Sequence, residues 1–269
     1  MPDTGSIAAS TQVSVIIPTY NRAALLGRAI ESVLGQSHGD LELIVVDDGS
    51  DDGTEDLVRG YCDNRVGYLR LERNSGQSVA RNAGARAARH ELIAFQDSDD
   101  EWVEDKLRRH IDVLTGSPAE FGVTYSDMTR VWADGSRSYH GSPDMGGNSL
   151  FREDGQHYRA YELGIQATLM RRSVFERAGG FREDMRCFED LELFIRLRRI
   201  CRFRHITEPL TIYYQTDGVS GQLRREVRAR LRLLRLYGPR LLLENPHYFL
   251  RECRETRRRY REARRKPRR

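Results

Sequence analysis

The sequence predicts an α/β fold, a parallel sheet with helices on both faces, and two observations carry that prediction. Residues 13–115 alternate short, continuous apolar runs with segments whose apolar residues recur at helical spacing. Three of the runs then give way abruptly to polar or acidic residues: Pro18-Thr19-Tyr20-Asn21-Arg22, Asp47-Asp48-Gly49-Ser50 and Asp97-Ser98-Asp99-Asp100. Strands separated by helices of this length run parallel with both faces covered. In open sheets of that kind ligands bind beyond the C-terminal strand ends, where all three polar stretches fall.

The elements follow in order. Val13-Ser14-Val15-Ile16-Ile17 is a buried strand stopped by Pro18. Ala23 to Leu34 carries Leu25, Leu26, Ala29, Ile30, Val33 and Leu34 at helical spacing. Leu41 to Val46 is a second strand, Thr54 to Tyr61 a short helix, and Val66 to Leu71 a third strand. Ser78 to Arg89 is Ala-rich and helical, and it leads into the strand Leu92-Ile93-Ala94-Phe95-Gln96. If the acidic stretch after that strand is only a helix N-cap, Glu101-Trp102-Val103 would begin the helix. After Gly116-Ser117-Pro118 the texture becomes less regular, with strands expected at Val123–Ser126 and Arg130–Trp132. Gly141–Ser149, with three glycines and a proline, reads as a mobile loop. From Leu223 one amphipathic helix is expected, with Leu223, Val227, Leu231, Leu234 and Leu241 along one face beside Arg224, Arg228, Arg232 and Arg235. Arg254 to Arg269 has almost nothing apolar and is expected to fray.

Composition narrows the class. Residues 224–269 hold 18 Lys or Arg against 5 Glu, so this tail carries +13 and the remainder −9. Two parts so differently charged do different jobs. Cys62, Cys187, Cys201 and Cys253 show neither CxxC pairing nor metal-like spacing with histidine and read as reduced thiols. Residues 1–12 lack a basic start and an apolar core, and no stretch approaches the roughly 20 apolar residues a membrane span needs. The expectation is a cytoplasmic protein.

The chemistry centres on Asp97-Ser98-Asp99-Asp100. Three carboxylates within four residues repel one another unless something positive sits among them. Mg²⁺ is typically shared between one or two protein carboxylates and substrate phosphates. A solvated acidic turn or a helix N-cap is the plainer reading of the same residues.

Taken in order, four stretches resemble family 2 glycosyltransferases: Val13 to Arg22, Val46 to Thr54, Gly76-Gln77-Ser78-Val79-Ala80-Arg81-Asn82-Ala83-Gly84, and Asp97 to Asp100. The likeness is close over residues 13 to about 108 and looser over 166 to about 214. It implies a GT-A-type fold, a Rossmann-like open mixed sheet with helices on both faces, extended here by the basic amphipathic C-terminal helix. It also implies a metal-dependent, inverting transfer of a hexose-type sugar from a nucleotide-sugar donor to an acceptor hydroxyl in cell-surface glycan or glycolipid synthesis. The chain then divides into a disordered N-terminus (1–12), a nucleotide-sugar-binding half (13–115), an acceptor and catalytic-base half (116–222) and the basic helix and tail (223–269).

The resemblance assigns roles. Asp48 would sit against the nucleobase, where a carboxylate can accept the N3–H of uracil, so the donor is expected to be UDP-linked. Pro18, Thr19 and Tyr20 would frame the base, Arg22 would belong to the same nucleotide site, and Arg81 would pair with the base or a phosphate oxygen. Asp97-Ser98-Asp99-Asp100 matches the family's DxD-type motif. Asp99 and Asp100 would touch the ribose and a Mn²⁺ or Mg²⁺ ion, while Asp97 supports the turn or a neighbouring hydroxyl. The sequence does not decide which carboxylate ligates directly. Ala178-Gly179-Gly180-Phe181 followed by Glu189-Asp190 resembles the family's Glu-Asp motif opening a helix, which makes Asp190 the general base and Glu189 its companion. Many relatives place a histidine after the strand equivalent to Leu210–Tyr214. Gln215 to Ser220 has none, and Asp217 is the nearest substitute.

Two other classes compete. A sugar nucleotidyltransferase would need a Gly-rich, basic loop after the first strand, which Pro18 to Arg22 is not. A silent, basic-tailed binding protein would have no use for Asp99, Asp100 and Asp190 together. The tail itself suits either packing on the body or contact with an anionic membrane surface near a lipid-linked acceptor. A nucleic-acid partner is not expected. The identity of the sugar and of the acceptor is not legible in these residues.

Overall fold

The computed structural model describes residues 11–142, 163–215, 223–244 and 246–265. Residues 1–10, most of the Gly141–Ser149 stretch, Asp217 and the last four residues lie outside this description. The first four strands, β1 (Val13–Thr19), β2 (Leu41–Asp47), β3 (Val66–Arg70) and β4 (Leu92–Phe95), run parallel in the spatial order β3-β2-β1-β4. They alternate with α1 (Ala23–Leu34), α2 (Thr54–Arg59) and α3 (Gln77–Ala87), close to the bounds the periodicity predicts.

The chain beyond β4 extends the same sheet rather than forming a new one. Its elements are β5 (Glu101–Trp102), α4 (Lys106–Thr115), β6 (Phe121–Val131), β7 (Arg137–His140), β8 (Thr168–Arg171), α5 (Arg172–Ala178), α6 (Glu189–Leu197) and β9 (Arg202–Tyr214). β8 lies antiparallel to β4, β6 antiparallel to β8, β9 parallel to β6, and β5 antiparallel to β9. The result is the mixed open sheet that the resemblance implies.

Pro18 does not end β1. Ile16 O accepts the Gln96 N–H, so the backbone of Ile16 faces β4, and Pro18, two residues on, faces the same way. β4 has ended by then, so the missing proline N–H costs no ladder bond, while Pro18 still pairs in register with Val46 of β2. Glu101-Trp102 is a strand and not a helix start. Trp102 Nε1 donates to Gln166 O at 3.0 Å and Val103 N to Leu210 O at 3.1 Å, and these bonds hold the segment against β9. The two strands expected within residues 123–132 are one, β6, whose register against β9 slips around Asp127.

Two apolar layers flank the sheet. Ile16, Val46, Ile93 and Phe95 face one side with Phe175, Phe181 and Phe194; Val15, Ile17, Leu43 and Val45 face the other with α1 and α4. Full burial of such side chains contributes roughly 1.5–3 kcal/mol each. Gly84 lets α3 lie against the first layer, because a Cβ there would sit 2.4 Å from Ile16 Cγ2.

The tail is a hairpin of α7 (Leu223–Glu244) and α8 (Pro246–Arg265), so residues 254–265 do not fray. Arg230 on α7 pairs with Glu226 and with Glu252 of α8, and all three are largely buried. The body-facing stripe of α7 is not the predicted leucine row. Ala229 and Leu233 pack on Met185, Cys187, Leu191 and Ile195, and Tyr237 Oη donates to Glu192 Oε1 at 2.6 Å. Leu231 points outward at 49 % exposure because α7 has two neighbours to satisfy, the body and α8.

Helix α4 carries Lys106 fully buried over the Trp102 ring, 4.4 Å from its centroid, and burial lowers its amine to about 7. The unfolded chain holds that proton up to about pH 10.4. Between about 7 and 10 the native state therefore binds fewer protons than the unfolded one, and stability rises with pH. Lys106→Met should raise stability at neutral pH and remove this rise, which approaches about 1.4 kcal/mol per pH unit. Denaturant unfolding of both proteins from pH 7 to 9.5 measures the slope directly.

Candidate active site

Three strand ends and one helix start converge at the top of the sheet. After β1, Asn21 adopts φ 50°, a left-handed conformation that asparagine tolerates. Its N–H donates to Ser50 Oγ and its Oδ1 accepts Asp51 N, so it staples the turn after β1 to the turn after β2. In that second turn Gly49 has φ 81°, and a Cβ would lie 3.0 Å from the Arg73 backbone, so only glycine fits. Asp47 is structural: it accepts Ser50 N and the Tyr68 hydroxyl. Asp48 is buried, and each of its oxygens accepts one backbone N–H, from Ser75 and from Gly76, at 2.7 Å. A carboxylate offers about four lone-pair positions, so acceptor capacity remains.

Beside it, Pro18 and Thr19 are buried and Tyr20 is 44 % exposed, an aromatic face at the mouth of the cleft. Thr19 Oγ1 has no hydrogen-bond partner among the described residues. Arg22 Nη1 reaches Asp99 Oδ2 at 3.2 Å. Arg28, not singled out by the sequence, donates to Asp99 O and lies over the Tyr214 ring at 3.6 Å.

The acidic stretch after β4 is not a solvated turn. Asp100 is buried, with Oδ1 accepting Tyr214 N and Oδ2 accepting Gln166 Nε2, both at 3.0 Å. Burial, then the neighbouring Asp97 and Asp99, push its carboxyl well above the usual carboxylate range. Asp97 turns the other way, to Arg81 Nη2 at 2.6 Å.

Arg81 organises the site. The sequence sends it to the nucleotide; the structure buries it at 2 % exposure and divides its guanidinium among Asp97, Glu189 and Asp190. Those carboxylates hold its own proton more firmly than usual. Glu189 and Asp190 open α6, where the helix N-terminus favours negative charge. Phe188, immediately before them, has φ 58°, a strained conformation for a bulky side chain that fixes the angle at which α6 starts. Glu189 is buried and also accepts the Gln77 amide. Asp190 keeps 23 % of its side chain open and accepts Ile165 N at 3.1 Å. Burial raises its carboxyl to about 7 even though Arg81 opposes the shift, with Glu189 and Asp97 adding to it. A carboxylate with that property and an open edge is suited to accept a proton near neutral pH.

Among the described residues no three acidic, histidine or cysteine side chains form a ready-made metal cage. The donor set nonetheless fits a hard divalent cation whose coordination a diphosphate completes. Asp99 and Asp100 offer oxygen only, and Asp100 sits in an excess of negative charge that a cation would relieve.

Arg81→Met should leave three carboxylates facing one another without a counter-charge. We expect a loss of roughly 3–5 kcal/mol in unfolding free energy, the size seen when a buried pair is broken. We also expect the Asp190 carboxyl to titrate above its present value, as carboxyl-carbon NMR of the two proteins would show. Arg81→Lys, which keeps the charge but not the fork, should lose less.

Similarity to known proteins bears on the family and the fold. Residues 14–178 match the family model described as Glycosyl transferase family 2. The Putative teichuronic acid biosynthesis glycosyltransferase TuaG of Bacillus subtilis (strain 168) is 42 % identical over 121 residues, 44 % of this chain and 48 % of that protein. The UDP-Glc:alpha-D-GlcNAc-diphosphoundecaprenol beta-1,3-glucosyltransferase WfgD of Escherichia coli is 38 % identical over 109 residues, 40 % of this chain and 43 % of that protein. The matches thus span less than half of either relative. In fold, the chain is similar to S. aureus TarS 1-349 in complex with UDP-GlcNAc, with a TM-score of 0.64 at 22 % identity over 83 % of this chain and 66 % of that one. It is also similar to the mannosyltransferase PcManGT from Pyrobaculum calidifontis in complex with GDP-Man and Mn²⁺, with a TM-score of 0.61 at 18 % identity over 91 % and 73 %. With the family match covering more than half of the chain, this protein belongs to glycosyl transferase family 2.

Proposed function

We propose that the protein transfers a sugar from a UDP-linked donor to an acceptor hydroxyl, with inversion at the anomeric carbon, in the synthesis of a cell-surface polysaccharide or glycolipid. The observation that carries this reading is Asp190, a recessed carboxyl raised to about 7 and held beside the acidic stretch by Arg81. Asp190 takes the proton of the acceptor hydroxyl as its oxygen attacks the anomeric carbon. Glu189, locked to Arg81 and Gln77, keeps Asp190 in place and adds to its basicity. Pro18, Thr19 and Tyr20 frame the nucleobase, and the remaining lone pairs of Asp48 read a base N–H. Asp99 and Asp100 would hold a Mn²⁺ or Mg²⁺ ion, which would supply positive charge to stabilise the leaving nucleoside diphosphate. Arg22 keeps Asp99 oriented. UDP-sugar chemistry in the names of WfgD and TarS supports the donor class, and the lipid-linked acceptor in the name of WfgD supports the acceptor class.

Asp190→Asn keeps shape but removes basicity, so turnover should fall by about 10²–10⁴-fold. UDP affinity, measured by calorimetry, should stay near the wild-type value. The wild-type turnover should show an acid limb with its midpoint near 7, where Asp190 takes up its proton. Near-full transfer by the Asn variant, or a product keeping the donor's anomeric configuration, would sink the assignment. Asp99→Asn should act differently, weakening UDP binding only when Mn²⁺ or Mg²⁺ is present.

The outer face of the α7–α8 hairpin favours contact with an anionic membrane, where a lipid-linked acceptor would reside. Leu231, Leu242, Leu243, Leu250 and Tyr260 are exposed on these two helices, and Leu231, Leu234, Cys253 and Tyr260 line an apolar groove with Thr256 and Arg257. Arg228, Arg235 and Arg257 are exposed on the same two helices. Among the described residues no helix is long and apolar enough to cross a membrane. Sedimentation with phosphatidylglycerol vesicles should capture the protein, and Leu231→Asp with Leu242→Asp should release it while UDP affinity holds. No capture of the wild type would leave the hairpin a packing element.

A further inference from the structure

Both ends of the reaction centre hang on one short turn. Residues 165–167 form a single 3₁₀ turn ahead of β8. Its first amide, Ile165 N, donates to Asp190 Oδ2 at 3.1 Å, and the next side chain, Gln166 Nε2, donates to Asp100 Oδ2 at 3.0 Å. The turn is itself anchored: Gln166 O accepts Trp102 Nε1 at 3.0 Å and Thr211 Oγ1 at 3.4 Å, and Ile165 O accepts Thr168 Oγ1 at 2.8 Å. Gln166 is 4 % exposed, and an amide facing a carboxylate must present its nitrogen. Gly164 makes the room. A Cβ on it would lie 2.1 Å from Gln166 Oε1 and 2.7 Å from Cδ.

We propose that Gln166, given space by Gly164, is a positioning residue that sets the Asp100 carboxylate for the cation and fixes its distance from the base Asp190. This rests on the metal role assigned to Asp99 and Asp100 above. Asp100 is held through one oxygen by Tyr214 N and through the other by Gln166, which leaves lone pairs on both oxygens for the ion. Carboxylates that bind metals are commonly oriented by such hydrogen bonds, and losing one typically costs about 10–100-fold in metal affinity or activity. The turn links the two carboxylates through adjacent residues, so a shift of the segment moves both.

The test is calorimetry of UDP binding to the full-length protein with MnCl₂ and with chelator, alongside the Mn²⁺ electron paramagnetic resonance signal. Gln166→Met should weaken Mn²⁺-supported UDP affinity by about 10–100-fold and raise the sharp six-line signal of free Mn²⁺ at a given protein concentration, while affinity in chelator stays within twofold. Gly164→Ala should reproduce this loss, because its methyl displaces the Gln166 amide without altering any donor; it carries the test if Gln166→Met does not fold. Equal losses with and without Mn²⁺ would mark a purely structural role and overturn the proposal. Wild-type metal dependence in both variants would overturn it too. A wild-type protein whose UDP affinity ignores chelator overturns the metal reading itself, and the proposal with it.

Discussion

One buried cation holds this site together. Arg81 is nearly inaccessible to water and faces three carboxylates, two from the start of α6 and one from the end of β4. The arrangement works because each part corrects the others: the guanidinium could not be buried alone, and the carboxylates could not crowd together without it. A fixed, planar donor set also dictates where each carboxylate lies, which a flexible ammonium would not. Through Arg81 the two halves of the sheet are joined at the point where the chemistry is proposed to occur.

The same balance explains the division of labour among the acids. Asp97 and Glu189 neutralise Arg81, and Glu189 further accepts the Gln77 amide. Asp190 shares the same guanidinium nitrogen with Glu189, at 3.2 Å, but burial outweighs that attraction, so its carboxyl rises. Among the described residues Asp100 meets two neutral N–H donors and no arginine, so burial and its acidic neighbours leave negative charge to be relieved there. Neighbouring carboxylates thus acquire distinct characters from their partners rather than from their residue type.

Strain and close approach are spent in the same place. Asn21, Gly49 and Phe188 all take positive φ around the cleft, and each sets the direction of a turn or helix that carries a site residue. The basic hairpin lies outside this economy. It docks on α6 through Tyr237 and Glu192, on the helix that opens with Glu189 and Asp190, so its contact with the body braces that helix from behind.

Much of this was determined by the sequence alone. The apolar runs of β1, β2 and β4 and the helical spacing of α1 specify the parallel layer because burial of an alternating chain admits few other solutions. The acidic stretches at strand ends mark the cleft for the same reason, since charge clustered there is tolerable only beside a ligand or counter-charge. What the sequence could not decide is which residues meet. Arg81 reads as a helix arginine free to reach a nucleotide, and only the packing of α3 against the start of α6 turns it inward. Glu101-Trp102 has helical neighbours, yet pairing with β9 makes it a strand. Residues 254–265 have too few apolar groups to predict order, and it is the buried pairing of Arg230 with Glu252 and the contact of two helices that folds them. Gln166 and Gly164 carry no local signal at all, because their role depends on Asp100, 66 residues away for Gln166, and long-range contacts of that kind are decided only when the sheet closes.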